Sequence, residues 1–219
     1  KDKAMSMGML TSPSQIKDLY WAISSNFETD MELDEMLSLV DFAEGLTGDS
    51  IFSAVISDDA TSIGGFLYTP PREENEPYYL IPYAGEMNFV ELQLFAQLFL
   101  YHPEITMGNV PIEVLNGTKE DSLAGLTKMY LKRYGFNVVS YGNALDRETS
   151  DTQIISLVEG NDATLELLPT MTFGEITSTV PAEYQPVSRP TEAKIIIILG
   201  EDFAEFYEEH DELFYIGIY

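Results

Sequence analysis

Cysteine is missing from this chain of 219 residues, which excludes structural disulfides, thiolate catalysis and cysteine-ligated zinc. Histidine is scarce: His102 precedes a proline in a linker-like stretch, and His210 lies in an acidic tail. No partner set surrounds either at usable spacing, so neither reads as a catalytic or metal-binding group. Ser24, Ser25 and Ser62 stand in no G-x-S-x-G turn, so no serine nucleophile is indicated. No D-x-[DN]-x-[DN]-G run offers a calcium loop. Long apolar runs are also wanting. The longest, Phe89–Tyr101, is interrupted by Glu91, Gln93 and Gln97, and it falls short of the about 20 residues that a bilayer requires. No signal peptide opens the chain and residue 1 is Lys, so it reads as a piece cut from a longer precursor.

Positive charge is the remaining deficit. Eleven basic residues face 37 acidic ones, a net charge of −26. The imbalance is −14 before Gly108 and −12 after it, so it belongs to the whole chain and to no single tail. Such a field repels DNA, RNA and anionic lipid, and direct nucleic-acid binding is not expected. What is present suffices for a core: 45% of residues are apolar and 12% aromatic, and the length admits one large domain or two small ones.

Ser12-Pro13-Ser14-Gln15 has the spacing of a helix start, and Ile16, Leu19, Tyr20 and Ile23 follow with helical periodicity. A second helix starts at Thr29–Glu32 and runs through Leu33, Met36, Leu37 and Val40 to the glycines at 45 and 48. Strands are expected at Ile51–Ser57, Phe66–Thr69 and Tyr78–Tyr83, with a turn at Asp58–Gly65. Met87–Tyr101 follows as a helix apolar nearly all round, which argues for burial on several sides. His102–Asn109 has the composition of a linker. Beyond it come a strand (Val110–Leu115), a turn (Asn116-Gly117-Thr118), a helix closed by Gly135, strands at Phe136–Tyr141 and Thr152–Val158, a helix over Asp162–Leu168, and a loop over Phe173–Pro190. Lys194–Leu199 is a fully buried strand. The fold class is therefore α/β (α+β), ending in a small α/β sandwich of order β-α-β-β-α-β and about 90 residues. The tail alternates carboxylates with Phe203, Phe206, Tyr207, Leu213, Phe214, Tyr215 and Ile218, and either a last helix or packing on a neighbour fits it.

Two blocks carry a family likeness. One is Thr11–Val40, with Ser-Pro-Ser-Gln-Ile, Ala-Ile-Ser-Ser-Asn-Phe-Glu-Thr-Asp and Leu-Asp-Glu-Met-Leu-Ser-Leu. It resembles the region following the active-site arginines of LytR-CpsA-Psr catalytic domains. The other is Val110–Val158, with Val-Leu-Asn-Gly-Thr, Leu-Ala-Gly-Leu, Tyr-Gly-Phe-Asn-Val-Val and Tyr-Gly-Asn-Ala, followed by Ile-Ile-Ile-Ile-Leu-Gly-Glu-Asp-Phe. It is similar to the family's LytR C-terminal domain. The resemblance implies residues 1–105 as the end of a catalytic domain, 109–203 as the LytR C-terminal-like domain, and 204–219 as an acidic, aromatic tail.

Family members are membrane-anchored, extracytoplasmic proteins that move glycopolymers from polyprenyl-pyrophosphate carriers onto peptidoglycan. That chemistry requires clustered arginines and a Mg²⁺ held by aspartates. Arg72, Arg133, Arg147 and Arg189 form no cluster in sequence, so the resemblance carries no catalytic residue, cofactor or metal into this chain, and Mg²⁺ belongs to the catalytic part. A wall glycan or an envelope protein is the implied partner, and a purely structural or oligomerisation module is the alternative. Candidate binding residues are Asn116, Gly117, Thr118 and Asn143, in turns that follow strands. Thr118 can cap the next helix or help hold an anion at its N-terminus, and capping is the commoner role. Gly142-Asn143-Ala144 suits a turn that faces the same edge. Asp58, Asp59 and Thr61 read as a plain turn before a cation site. Tyr78, Tyr79, Tyr83 and Tyr101 can stack on sugars, though such aromatics more often fill cores.

Overall fold

The computed structural model describes residues 34–35, 38–39, 42, 52–71, 77–107, 110–157, 163–177, 179–187 and 189–214. Lys1–Phe52 and Ser53–Tyr219 form separate compact units. In the first, Asp34, Glu35, Ser38, Leu39 and Phe42 are helical, as expected for the second N-terminal helix, and the Ser38 hydroxyl donates to the Asp34 carbonyl at 2.9 Å. The expected helix before it lies outside the described residues.

The second unit is a mixed α/β structure. A five-stranded sheet has the order β4-β3-β7-β5-β6, built from β3 (Pro111–Asn116), β4 (Asn137–Asn143), β5 (Gln153–Ser156), β6 (Glu175–Thr177) and β7 (Ile195–Leu199). β3, β4 and β7 run parallel; β5 pairs antiparallel with β7 and parallel with β6. β7 is the sequence's most β-branched run, and it takes the central place where both faces are covered, with all five residues buried. Its side chains alternate between two cores. Ile195, Ile197 and Leu199 join Ile112, Val114, Leu131, Phe136, Ile154 and Leu168 on the helical face, while Ile196 and Ile198 meet Leu115, Ile155 and Tyr184 on the other.

Four helices feed the first core: α1 (Val90–Tyr101), α3 (Leu123–Arg133), α4 (Ala163–Thr172) and α5 (Glu201–Glu209); α2 (Pro103–Thr106) adds Ile105. α3 buries Leu123, Ala124, Thr127, Tyr130 and Leu131, a helical stripe, and carries Lys132 and Arg133 in its last turn, where cations suit the helix dipole. It stops as expected at Gly135. That glycine has φ +95°, its N–H reaches the Lys132 carbonyl, and the Phe136 N–H reaches that of Leu131. A Cβ there would come within 2.4 Å of Thr106 Cα. On the opposite face a segment with a short 3₁₀ turn (Ala182–Tyr184) is pinned by buried Glu113, whose carboxylate accepts from Arg189 at 2.7 Å and from Thr191 at 3.3 Å.

Several expectations are corrected. Phe52–Ser57 is irregular, with Ser57 hydrogen-bonded to the loop through Gly64 and Leu67. The strands expected at 66–69 and 78–83 shrink to a two-residue antiparallel pair, β1 (Leu67–Tyr68) and β2 (Ile81–Pro82). β6 lies within the expected 173–190 loop, where pairing with β5 makes a strand of exposed Glu175 and Ile176 and half-buried Thr177, which carry little apolar signal. α4 continues through Pro169 to Thr172: the proline removes one helical N–H, while Leu168 and Met171 beside it are buried. α1 is not buried on several sides within the described structure, since Val90, Leu100 and Tyr101 stay exposed. The tail does form a last helix, α5, and a 3₁₀ turn (Asp211–Phe214) folds Phe214 onto Tyr130, Phe203, Phe206 and Tyr207.

Candidate functional site

Asn116, Gly142 and Asn143, expected in turns, are instead the last residues of β3 and β4, whose parallel pairing sets Asn116 opposite Asn143 at one end of the sheet. Their side chains differ in availability. Asn116 is buried: its Oδ1 accepts from the Thr118 N–H and hydroxyl, both at 2.9 Å, and its Nδ2 donates to the Glu120 carbonyl at 2.6 Å. Thr118 is also buried, its hydroxyl accepting from the Glu120 N–H at 3.1 Å and its carbonyl from Arg147 Nε at 2.6 Å. Gly117 is wedged against Thr149 and Leu199, where a Cβ would lie 2.6 Å from a hydroxyl and 2.7 Å from a carbonyl oxygen. Asn143 is exposed.

Thr118 is not the cap of α3. Asn116 engages it in a local turn, the chain spends residues through Ser122 before turning helical, and Ser122 takes φ 64° with no side-chain cap bond. Glu120 and Asp121 place negative charge in that approach, which opposes an anion there.

Beside Asn143 a groove of about 400 Å³ opens between α3 and β4. Gly125, Lys128 and Met129 line one wall; Tyr141, Gly142 and Asn143 line the other, with Asn116 at its end. The Tyr141 ring packs on α3: an added Cβ at Gly125 would meet it at 3.4 Å, and the Lys128 ammonium lies 4.5 Å from its centroid. Tyr141 is nonetheless 55% exposed. From Ser122 to Leu145 the chain has no acidic residue and three basic ones, Lys128, Lys132 and Arg133, against 37 acidic residues overall. The groove can therefore offer an aromatic face, an amide and a cation, with no Asp or Glu in its lining. Sequence reasoning missed Tyr141 and Lys128. The break in the acid spacing was the available signal.

The other singled-out residues fall elsewhere. Asp59 closes a turn, accepting from the Thr61 N–H at 3.0 Å and hydroxyl at 2.7 Å; these bonds hold its carboxyl below the usual range. Asp58 accepts from the Tyr78 hydroxyl at 3.1 Å. Tyr83 is core, stacked on Tyr68 and covered by Arg133, whereas Tyr78, Tyr79 and Tyr101 are on the surface, against the expectation of burial. His102 and His210 are partly exposed beside Glu104 and Glu212. Among the described residues no three His, Asp or Glu side chains gather as a metal site, and no helix is long and apolar enough to cross a membrane.

A second polar cluster is internal. Glu91 of α1 is 5% exposed and accepts from the Tyr134 hydroxyl at 3.1 Å, while its other oxygen has no hydrogen-bond partner. Burial pushes its carboxyl up to about 7, opposed by the Tyr134 bond and by Arg133. Arg133, fully buried, donates to the carbonyls of Leu213 at 2.6 Å and Ala60 at 3.4 Å. The cluster ties α1, α3, the 57–66 loop and the 3₁₀ turn after α5 together.

Comparison with curated proteins and with solved structures gave no match. Residues 109–203, which hold β3 to β7 and the groove, match the family model LytR_C, described as LytR cell envelope-related transcriptional attenuator.

Proposed function

We propose that this chain is a non-catalytic region of a LytR-CpsA-Psr cell-envelope protein, whose LytR C-terminal-like domain binds an envelope component, wall glycan or protein, at the α3–β4 groove. Residues 1–105 would complete the catalytic domain and 204–219 would follow the binding domain. The envelope assignment is supported by the match over 109–203, and the catalytic-domain reading by the resemblance in Thr11–Val40. The protein would act outside the cytoplasm, on peptidoglycan or on material bound for it. The arginines and Mg²⁺ of polymer transfer are expected in a part of the protein beyond this chain. Direct DNA contact, which the word attenuator suggests, is opposed by the net charge of −26.

One observation carries the binding role. A half-exposed aromatic ring, an exposed asparagine and a lysine converge on a concave surface in the longest acid-free stretch of a polyanion. Sedimentation with purified cell envelopes at physiological salt tests it. Wild type should be retained above an unrelated protein of equal charge, and a Lys128→Ala, Tyr141→Ala double variant should not be. Equal sedimentation of the three would contradict the proposal.

A further inference from the structure

The groove has one wall that is also the edge of a sheet. β4 ends the strand order, and among the described residues nothing pairs with its outer side. Natural edge strands are usually blunted by a charge, a proline, a short length or a bulge. β4 is seven residues long, carries neither charge nor proline, and exposes Val139 (43%) and Tyr141. It does carry one of these devices, a bulge at Val139, and only beyond it do Ser140–Asn143 form a regularly paired edge on β3 alongside the groove. The opposite edge, β6, has three residues and an exposed glutamate.

No side chain covers the edge at Gly142. Glycine weakens a strand interior, so it is kept where the backbone conformation or a close neighbour requires it. Neither holds here: Gly142 has no left-handed φ, and a Cβ added to it would meet nothing within 4 Å. Gly142 lies opposite Leu115, on the side of the sheet away from α3, and leaves the β4 backbone bare there.

Charge selects the visitor. Lys128 lines the groove and no Asp or Glu does, so an acidic partner is attracted here and repelled by most of the remaining surface. A sugar could use the Tyr141 ring, but its hydroxyls do not repeat at the spacing of the edge N–H and C=O groups of β4, as those of an extended backbone do. We infer that an extended polypeptide bearing acidic side chains adds as a strand to the outer edge of β4, with a carboxylate beside Lys128. This rests on the α3–β4 groove being the binding surface.

The probe is a blocked peptide of about ten residues, alternating valine and threonine with two central glutamates, and its counterpart with lysines. Each is titrated into the ¹⁵N-labelled full chain. The glutamate peptide should give saturable amide shifts centred on Val139–Asn143, and the lysine peptide should bind at least about tenfold more weakly. Lys128→Glu should reverse that preference. No saturable shift at β4, or equal binding of both peptides, would overturn the inference. So would shifts from a wall-glycan oligosaccharide with none from either peptide, although the groove would then stand as an envelope-binding surface. A doubled mass abolished by Val139→Lys, with no peptide binding, would give the edge to a second copy of the chain and also overturn it.

Discussion

Glu91 shows how one residue sets a pH response. Its carboxyl, ordinarily near 4.5, titrates at about 7 because ionisation is disfavoured in its buried place. An acid with a raised folded-state pKa binds more protons folded than unfolded between those values. The stability it allows is complete below about 4.5 and falls as pH rises to about 7. A shift of this size corresponds to about 3 kcal/mol, most of which falls between pH 5 and pH 8. Glu91→Gln keeps an acceptor for Tyr134 and cannot ionise. Between pH 5 and pH 8 wild type should therefore lose about 2–3 kcal/mol more stability than the variant, measured by urea unfolding. Parallel pH profiles would contradict this. Two glycines give an opposed pair. Gly117→Ala drives a methyl into Thr149 and the Leu199 carbonyl and should cost about 1–3 kcal/mol. Gly142→Ala enters open space and should be neutral or stabilise by up to about 1 kcal/mol. Their ordering by thermal melting checks whether Gly117 serves the fold and Gly142 does not.

At the scale of elements, the C-terminal turn is part of the core. Phe214 is 1% exposed among four aromatic rings, so Phe214→Ala should destabilise by about 3–5 kcal/mol, and a urea midpoint close to wild type would show that the turn is dispensable. The elements that could be read from sequence are those whose local pattern agrees with their tertiary place. β7 is a run of isoleucines in the sheet centre, and α3 has a helical stripe closed by Gly135. β6 was not readable, because Glu175, Ile176 and Thr177 become a strand only by lying on β5. The start of α3 was misread because Asn116 engages Thr118 in a turn that no capping pattern announces. The end of the sheet was readable through Asn116 and Asn143. The groove was not, because Lys128 and Tyr141 belong to different elements and meet only when α3 packs beside β4.

For the molecule as a whole, charge is the governing quantity. A net −26 spread over both halves of the chain opposes compaction, and salt should relieve it. Raising NaCl from about 0.01 M to about 0.15 M shortens the screening length from about 30 Å to about 8 Å. The urea midpoint at pH 8 should rise over that range, and a fall would mean that attractive pairs outweigh the repulsion. On the proposed reading the same field would oppose nucleic acid and anionic lipid over most of the surface, with the α3–β4 face as the approach for an acidic partner. Photo-crosslinking from that face in living cells tests this most directly, with benzoylphenylalanine in place of Tyr141 in one protein and of exposed Glu205 in another. Adducts with envelope protein or glycan from position 141 and none above background from 205 are predicted; equal yields, or no adduct from 141, would contradict the account.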